Sequence, residues 1–289
     1  MKLNNLLLVT KQTELEYHRK YTPDFSRLIP EERLKVIERK HKNHYSSLHD
    51  IEHVLSCLGI SYDTINVADF TPDNMLGKDA VISVGGDGTF LTAAYEICHN
   101  ILILPVKSDA SLGALCIADA LTFRETIDKI LSDNFTIDKW DRLEARFNGT
   151  TRLALNEAVI GPKFGSGSSR YNISVNGLTE SQEGSGILVA TGTGSTGRYR
   201  NVGTGHLPFP RASKELRFLS LDALQTSNYS LLAGVIDAGE SLVIRSDTSI
   251  NGTISFDGDN EHRRYDILPG TVVKIRLSDN PLRVIVPDR

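Results

Sequence analysis

Cysteine is scarce in this sequence: Cys57, Cys98 and Cys116 are scattered and odd in number. They form neither a disulfide framework nor a metal-ligand pattern, which points to a reducing cytosol. The chain also lacks an excess of positive charge. Its 32 Lys and Arg face 36 Asp and Glu, for a net charge of −4. That balance excludes a global attraction to nucleic acid or to an anionic membrane, so any phosphate site must be built locally. Long apolar runs are missing too. The run 6–9 is far too short for a membrane span or signal segment and fits a first buried strand. No repeat, coiled coil or low-complexity tract occurs. What remains is ordinary for a globular protein of one or two domains: 289 residues, 40% apolar and 24% charged.

In the first part of the chain, strand-like and helix-like stretches alternate. Strands are expected at 5–10, 63–67, 81–84 and 101–106, and helices at 11–21, 90–97 and 118–131. Pro30, Glu31 and Glu32 suit a helix start. Leu34, Ile37, Leu48, Ile51, Val54 and Leu55 then recur at roughly helical spacing, with a break expected near Asn43, and Gly59 ends the segment. Alternation of this kind predicts a parallel, doubly wound α/β domain over residues 1–136. From there to residue 289 the chain turns to short β-type runs separated by Gly, Asn, Ser and Asp, which predicts a β-rich second domain over 137–289. The extreme C-terminus is expected to pack back on the first domain. Asn176 with Gly177, Asn251 with Gly252, and Asp257 with Gly258 are turn dipeptides.

The most informative stretch is 81–89, four β-favouring residues running into Gly85, Gly86, Asp87, Gly88 and Thr89. This order reads as strand, tight glycine turn and helix start. Glycines let a ligand approach the backbone, and the free N–H groups of a helix start favour an anion such as phosphate. Asp87 would repel phosphate unless it holds a metal or takes a proton, so the turn reads as phosphoryl chemistry. By itself the stretch also fits a plain β–α turn with an acid near a helix start.

Asn156 and Glu157 interrupt an apolar strand run over 153–160. A polar pair there must turn at least one side chain to the buried face, where sugar hydroxyls would satisfy both an amide and a carboxylate. A strand-end pair tied to backbone fits as well. An apolar strand at 187–190 leads into Thr191, Gly192, Thr193, Gly194, Ser195, Thr196 and Gly197, a loop whose hydroxyls and open backbone suit base edges and ribose. His49 and His53 share a helix face, but further metal ligands are lacking and a solvated face is the better reading.

These three stretches, in this order, resemble the NAD kinase family. Its marks are a GGDGT turn, a later Asn-Glu pair, and a strand followed by a TGST-like loop. The resemblance runs from about residue 80 to the end, including Asp257 and Gly258. A GGDGT turn alone is shared with diacylglycerol-type lipid kinases. In those, however, the Asn-Glu-type residues follow the turn almost at once, whereas Phe90, Leu91 and Thr92 follow it here. The Thr-Gly-Thr-Gly-Ser run at 191–195, the stretch 169–175 and Leu15, Glu16 and Tyr17 look most like the divergent branch that includes mitochondrial-type NAD kinases. With no transit-type leader visible, a bacterial cytoplasmic member is expected.

The resemblance implies transfer of the ATP γ-phosphoryl group to the 2′-hydroxyl of the adenosine ribose of NAD, making NADP. Gly85, Gly86, Gly88 and Thr89 would cradle ATP, and Asp87 would be the base or orienter. Asn156, Glu157, Ser185, Thr193, Ser195, Thr196, Gly197 and Arg198 would bind NAD. Mg²⁺ would arrive with ATP, with no protein metal site. A homodimer or homotetramer is implied, with no nucleic-acid or membrane partner. Departures from the family pattern are Ser185 in place of an Asp at the nicotinamide end, Glu183 in place of a basic residue, Arg198 in place of a Tyr, and Cys116 and Ile117 in place of Gly-Phe. The rival readings are a GGDGT-type kinase of a lipid or other alcohol, and a non-catalytic dinucleotide-binding protein.

Overall fold

The computed structural model describes residues 3–22, 24–98, 100–109, 113–163, 167–202, 207–224, 228–247, 252–258 and 261–288. The chain divides into two units, Met1–Lys139 with Arg283–Arg289, and Trp140–Leu282.

The first unit is built on one sheet whose strands run in the order Ser61–Asn66, Asn5–Thr10, Ala80–Gly85, Leu102–Lys107, Leu282–Pro287 and Phe135–Trp140, with the short strand Ala118–Asp119 beside Leu102–Lys107. The pairings from Ser61–Asn66 across to Leu282–Pro287 are parallel. Asn5–Thr10 and Ala80–Gly85 are almost wholly buried, as strands covered on both faces must be. Leu6, Leu8, Ile82, Leu104 and Ile285 pack with Ile51, Leu55, Phe123 and Ile127 from the covering helices.

One of those helices, Glu31–Cys57, is continuous for 27 residues, about 40 Å at the usual rise. The break expected near Asn43 is absent. Its buried stripe is Ile37, His44, Leu48, Ile51 and Leu55, so a histidine occupies a core position and hides the helical period from an apolar count. Gly59, in the left-handed region at φ +67°, follows the helix end. The helix expected over 118–131 is also shorter, running Phe123–Leu131. Ala118–Asp119 joins the sheet instead, and Asp119 and Thr122 exchange bonds that set the helix start: Thr122 N–H donates to Asp119 Oδ1 at 2.9 Å and Asp119 N–H to Thr122 Oγ1 at 3.2 Å.

The second unit is β-rich, with two antiparallel six-stranded sheets. One runs Leu178–Gly184, Ser169–Val175, Ser241–Ser246, Val272–Leu277, Leu143–Phe147 and Thr150–Ala154. The other runs Ala233–Asp237, Glu215–Leu221, Gly186–Ala190, Glu157–Pro162, Gly252–Phe256 and Arg264–Ile267. Asn176 and Gly177, both at positive φ (+52° and +77°), form the hairpin between Ser169–Val175 and Leu178–Gly184. The turn expected at Asn251 falls outside the described residues. The chain passes from the first of these sheets to the second at three points: Leu155 with Asn156, Ser185, and between Ser241–Ser246 and Gly252–Phe256.

Candidate active site

In the first unit the strand order reverses between Asn5–Thr10 and Ala80–Gly85. The chain leaves the former for one flank of the sheet and returns through the latter on the other. The carboxyl ends of two such strands diverge into a crevice, where open α/β sheets bind their ligands. The glycine turn lies there. Gly85 ends its strand, Gly86 caps the helix Asp87–Glu96 with no side-chain cap bond, and the N–H groups of a first helical turn have no partner within the helix. The glycines serve different ends. A Cβ on Gly85 would lie 2.2 Å from Thr89 Oγ1, so Gly85 is required by packing. A Cβ on Gly88 would meet nothing within 4 Å and would point into open space.

Asp87 is half-buried, and both of its oxygens are engaged. Oδ1 accepts the Leu115 N–H at 2.9 Å and Oδ2 the Ala114 N–H at 3.0 Å. Each carboxylate oxygen keeps a second lone pair for a further donor. The turn opens on a cleft of about 570 Å³, lined also by Lys11, Gln12, Thr13 and Glu14 after the first strand, Lys40 and His41 of the long helix, and Asp109. None of these added groups stood out from the sequence. The available signal was positional: Lys11 directly follows the first buried strand, as Gly86 follows the third.

In the second unit, Asn156 and Glu157 do not lie within one strand. Thr150–Ala154 ends before them and Glu157–Pro162 begins at Glu157 in the other sheet. The cause is Asp257. Its carboxylate accepts the N–H groups of Leu155 at 2.9 Å, Asn156 at 2.6 Å and Glu157 at 3.2 Å, which supplies the bonds a continuous ladder would have made. Asp257 N–H donates in turn to Glu157 O at 2.9 Å, and Asp257 adopts φ +48° to do so. Burial raises the Asp257 proton affinity, opposed by these N–H groups and by Arg263. Glu157 is only 5% exposed. Its carboxyl is pushed up to about 7 by burial first and by the Asp257 charge second, against the pull of Arg198, the Gly258 N–H and Arg263.

The TGTGSTG loop is knotted to the same place. Thr191 N–H donates to Asn156 O at 2.9 Å, Thr191 Oγ1 donates to Leu155 O at 2.5 Å, and Gly194 N–H donates to Thr191 Oγ1 at 3.1 Å. A Cβ on Gly194 would stand 2.1 Å from Asn156 O, and one on Gly192 2.3 Å from Pro210 O, so both glycines are close-approach points. Ser195 is fully buried. Its hydroxyl donates toward Gly192 O at 2.8 Å and Phe209 O at 3.0 Å, and accepts the Phe209 N–H at 3.2 Å, so it braces the loop. Thr196 and Arg198 are exposed and Gly197 half-buried beside the Asn156 amide. Ser185, at the second sheet crossing, donates its N–H to Leu221 O at 2.8 Å, and Gly186 beside it, at φ +117°, has no room for a Cβ against Ile160 O.

Around this knot Asn156 Oδ1, Glu157 Oε2 and Thr193 Oγ1 are buried without a hydrogen-bond partner among the described residues. Buried polar atoms left in this state cost free energy that a ligand's donors recover. His49 and His53 are both exposed, and no group of three or more His, Cys, Asp or Glu able to hold a metal occurs among the described residues. Nor is any helix there long and apolar enough to cross a membrane.

A parallel α/β unit with a glycine turn at its switch point, followed by a β-rich unit, defines a two-unit α/β protein whose phosphate-binding turn lies where open sheets hold nucleotides. No family model matches the chain. The NAD kinase of Shewanella frigidimarina is 30% identical over 218 residues, 72% of this chain and 68% of the relative. A probable NADH kinase of Oryza sativa is 28% identical over 237 residues, 73% of this chain and 71% of the relative. In fold, the chain matches the crystal structure of an NAD kinase from Archaeoglobus fulgidus in complex with ATP, with a TM-score of 0.69 and 17% identity over 96% of this chain and 92% of that one. The chain belongs to the NAD kinase family.

Proposed function

We propose that this protein is an ATP-dependent NAD kinase, transferring the γ-phosphoryl group of ATP to the 2′-hydroxyl of the adenosine ribose of NAD to form NADP. One observation carries the reading: Asn156 Oδ1, Glu157 Oε2 and Thr193 Oγ1 are buried and unpartnered together around a loop built for close approach. Ribose hydroxyls are donors and acceptors at once and would satisfy all three. Thr196, Gly197 and Arg198 stand at the open side of the loop for the adenine, and Ser195 holds its shape. Ser185 takes the place of the family Asp toward the nicotinamide end. Gly86, Gly88 and Thr89 present the uncapped helix start to the ATP phosphates, with Gly85 fixing the turn.

Asp87 orients the ribose hydroxyl and accepts its proton. The O2′–P bond then forms as the bond from the γ-phosphorus to its bridging oxygen breaks, and ADP leaves. Mg²⁺ fits this site as a companion of ATP. The carboxylates of the cleft, Asp87, Asp109 and Glu14, are too few and too committed for an all-protein cage, and Mg²⁺ is commonly held by substrate phosphates. When bound it offsets negative charge on the phosphates.

Three scattered cysteines, odd in number, suit a reducing cytoplasm. Ser185 leaves the acceptor contact short of a carboxylate that a neighbouring copy would supply, which supports a homodimer or homotetramer. The purified chain incubated with Mg²⁺-ATP and, in turn, NAD, NADH and diacylglycerol tests the reading. NADP or NADPH formation is expected. Phosphorylation of diacylglycerol alone would make the protein a lipid kinase, and dinucleotide binding without any phosphorylated product would make it a non-catalytic binding protein.

A further inference from the structure

The glycine turn poses an electrostatic problem. Asp87 places a carboxylate on the loop that is to receive phosphates, so a cation must stand close by. Lys11 is that cation by position. Its backbone N–H donates to Val84 O at 3.1 Å, which fixes it against the last residues of the strand leading into the turn. It lines the same cleft as Gly86, Asp87, Gly88 and Thr89. Its ammonium is ion-paired with Asp109, the side chains being 19% and 6% exposed.

Asp109 is itself held in register. Its neighbour Ser108 donates N–H to Gly85 O at 3.0 Å, and Ser108 Oγ bonds His44 Nδ1 at 2.8 Å. His44 is fully buried in the long helix, where burial first and Lys11 second lower its proton affinity to about 4 and keep the imidazole neutral. A neutral ring adds no charge to compete with Lys11. The ends of three neighbouring strands are thus laced together, and the lacing terminates on one lysine.

A largely desolvated Lys–Asp pair contributes little stability by itself, since an apolar pair of similar volume does as well or better. Its position in the cleft beside an uncapped helix start gives it another use. The ammonium has three donors, of which Asp109 takes one, and a point charge on a flexible stem is a common phosphate ligand. We infer that Lys11 binds the polyphosphate of the nucleotide donor, with Asp109, Ser108 and His44 acting as positioning residues that hold the ammonium over the glycine turn. This inference rests on the kinase reading above.

The test is steady-state kinetics and calorimetry on the full chain. Lys11→Met should raise the KM for ATP, and lower kcat/KM for ATP, by roughly ten- to a hundredfold, the loss typical of a charge-assisted bond. The KM for NAD should stay within about twofold, because the affected contact is charge-assisted and lies on the donor. Lys11→Arg should restore most of the loss. Inorganic triphosphate should weaken as a ligand in Lys11→Met by the same factor as ATP, while adenosine should not. Unchanged ATP parameters in Lys11→Met overturn the inference. So does a loss shared equally by ATP, NAD and adenosine, which marks a structural role. If the wild-type chain makes no NADP, the kinase reading fails, and the triphosphate titration of wild type against Lys11→Met still decides whether Lys11 binds polyphosphate.

Discussion

The Asp257 carboxylate accepts the Asn156 N–H at 2.6 Å across 101 residues of sequence, and this bond places the Asn156 and Glu157 pair proposed to hold the acceptor. A strand would have carried Asn156 and Glu157 to opposite faces. Held by Asp257 at a break between two sheets, both are presented beside the TGTGSTG loop.

Replacing Asp257 by Ala should therefore be costly. Three backbone N–H groups lose their acceptor in a buried place, at about 1–3 kcal/mol each, so a loss of roughly 3 kcal/mol or more in urea unfolding is expected. Asp257→Asn keeps one acceptor oxygen and should lose less. A stability within about 0.5 kcal/mol of wild type for Asp257→Ala, the range of ordinary surface substitutions, would show that the break forms without this anchor.

Glu157 gives a pH signature. Its folded-state proton affinity, about 7, lies above the ordinary 4.5, so the native state holds a proton that the unfolded state releases between those values. Stability is thus favoured at the acid end and declines as pH rises through this window. Above it the ionised, buried carboxylate costs up to about 3 kcal/mol. Glu157→Gln removes the titration. The variant should be more stable than wild type at pH 8 by an amount of this order, with the difference vanishing near pH 4. Parallel unfolding curves for the two proteins at both pH values would contradict the buried, raised carboxyl.

The glycine turn separates packing from ligand approach. Gly85→Ala puts a methyl 2.2 Å from Thr89 Oγ1 and should lower the melting temperature. Gly88→Ala meets nothing within 4 Å, so its melting temperature should hold while its KM for ATP rises, because the methyl occupies space a phosphate needs. Equal thermal loss in both variants would remove Gly88 from the ligand side of the turn.

Much of this was legible in the sequence, for reasons that differ by element. The β–α turn at 85–89 is local chemistry, with strand, glycines and helix start contiguous, and the alternation before it forecast a parallel α/β sheet. The uninterrupted course of Glu31–Cys57 was not legible, because His44 fills a core position with a polar residue whose partner, Ser108, lies 64 residues on. The break at Asn156 was legible only as one of two readings, a strand-end pair tied to backbone, because its cause is a carboxylate in a distant turn. Lys11 and Asp109 were missed because a single lysine after a strand carries no pattern until the fold brings its counter-ion alongside.

Asp87 remains the sharpest test of mechanism. Its two oxygens accept the Ala114 and Leu115 N–H groups, so the carboxylate also braces the 114–115 backbone. Asp87→Asn removes the base and the charge, and also turns an amide NH₂ toward one of those donors. The two roles separate by what changes. Loss of the base should lower kcat by roughly a hundredfold or more, the lower end of acid–base contributions, at saturating Mg²⁺-ATP and NAD. Loss of one brace should cost only about 1–3 kcal/mol in unfolding and leave the protein folded at 25 °C. NAD affinity, read by calorimetry, should fall less than kcat, because the amide still bonds a ribose hydroxyl. A near-normal kcat with lowered stability would assign Asp87 to the brace alone and leave the proton of the 2′-hydroxyl to another acceptor.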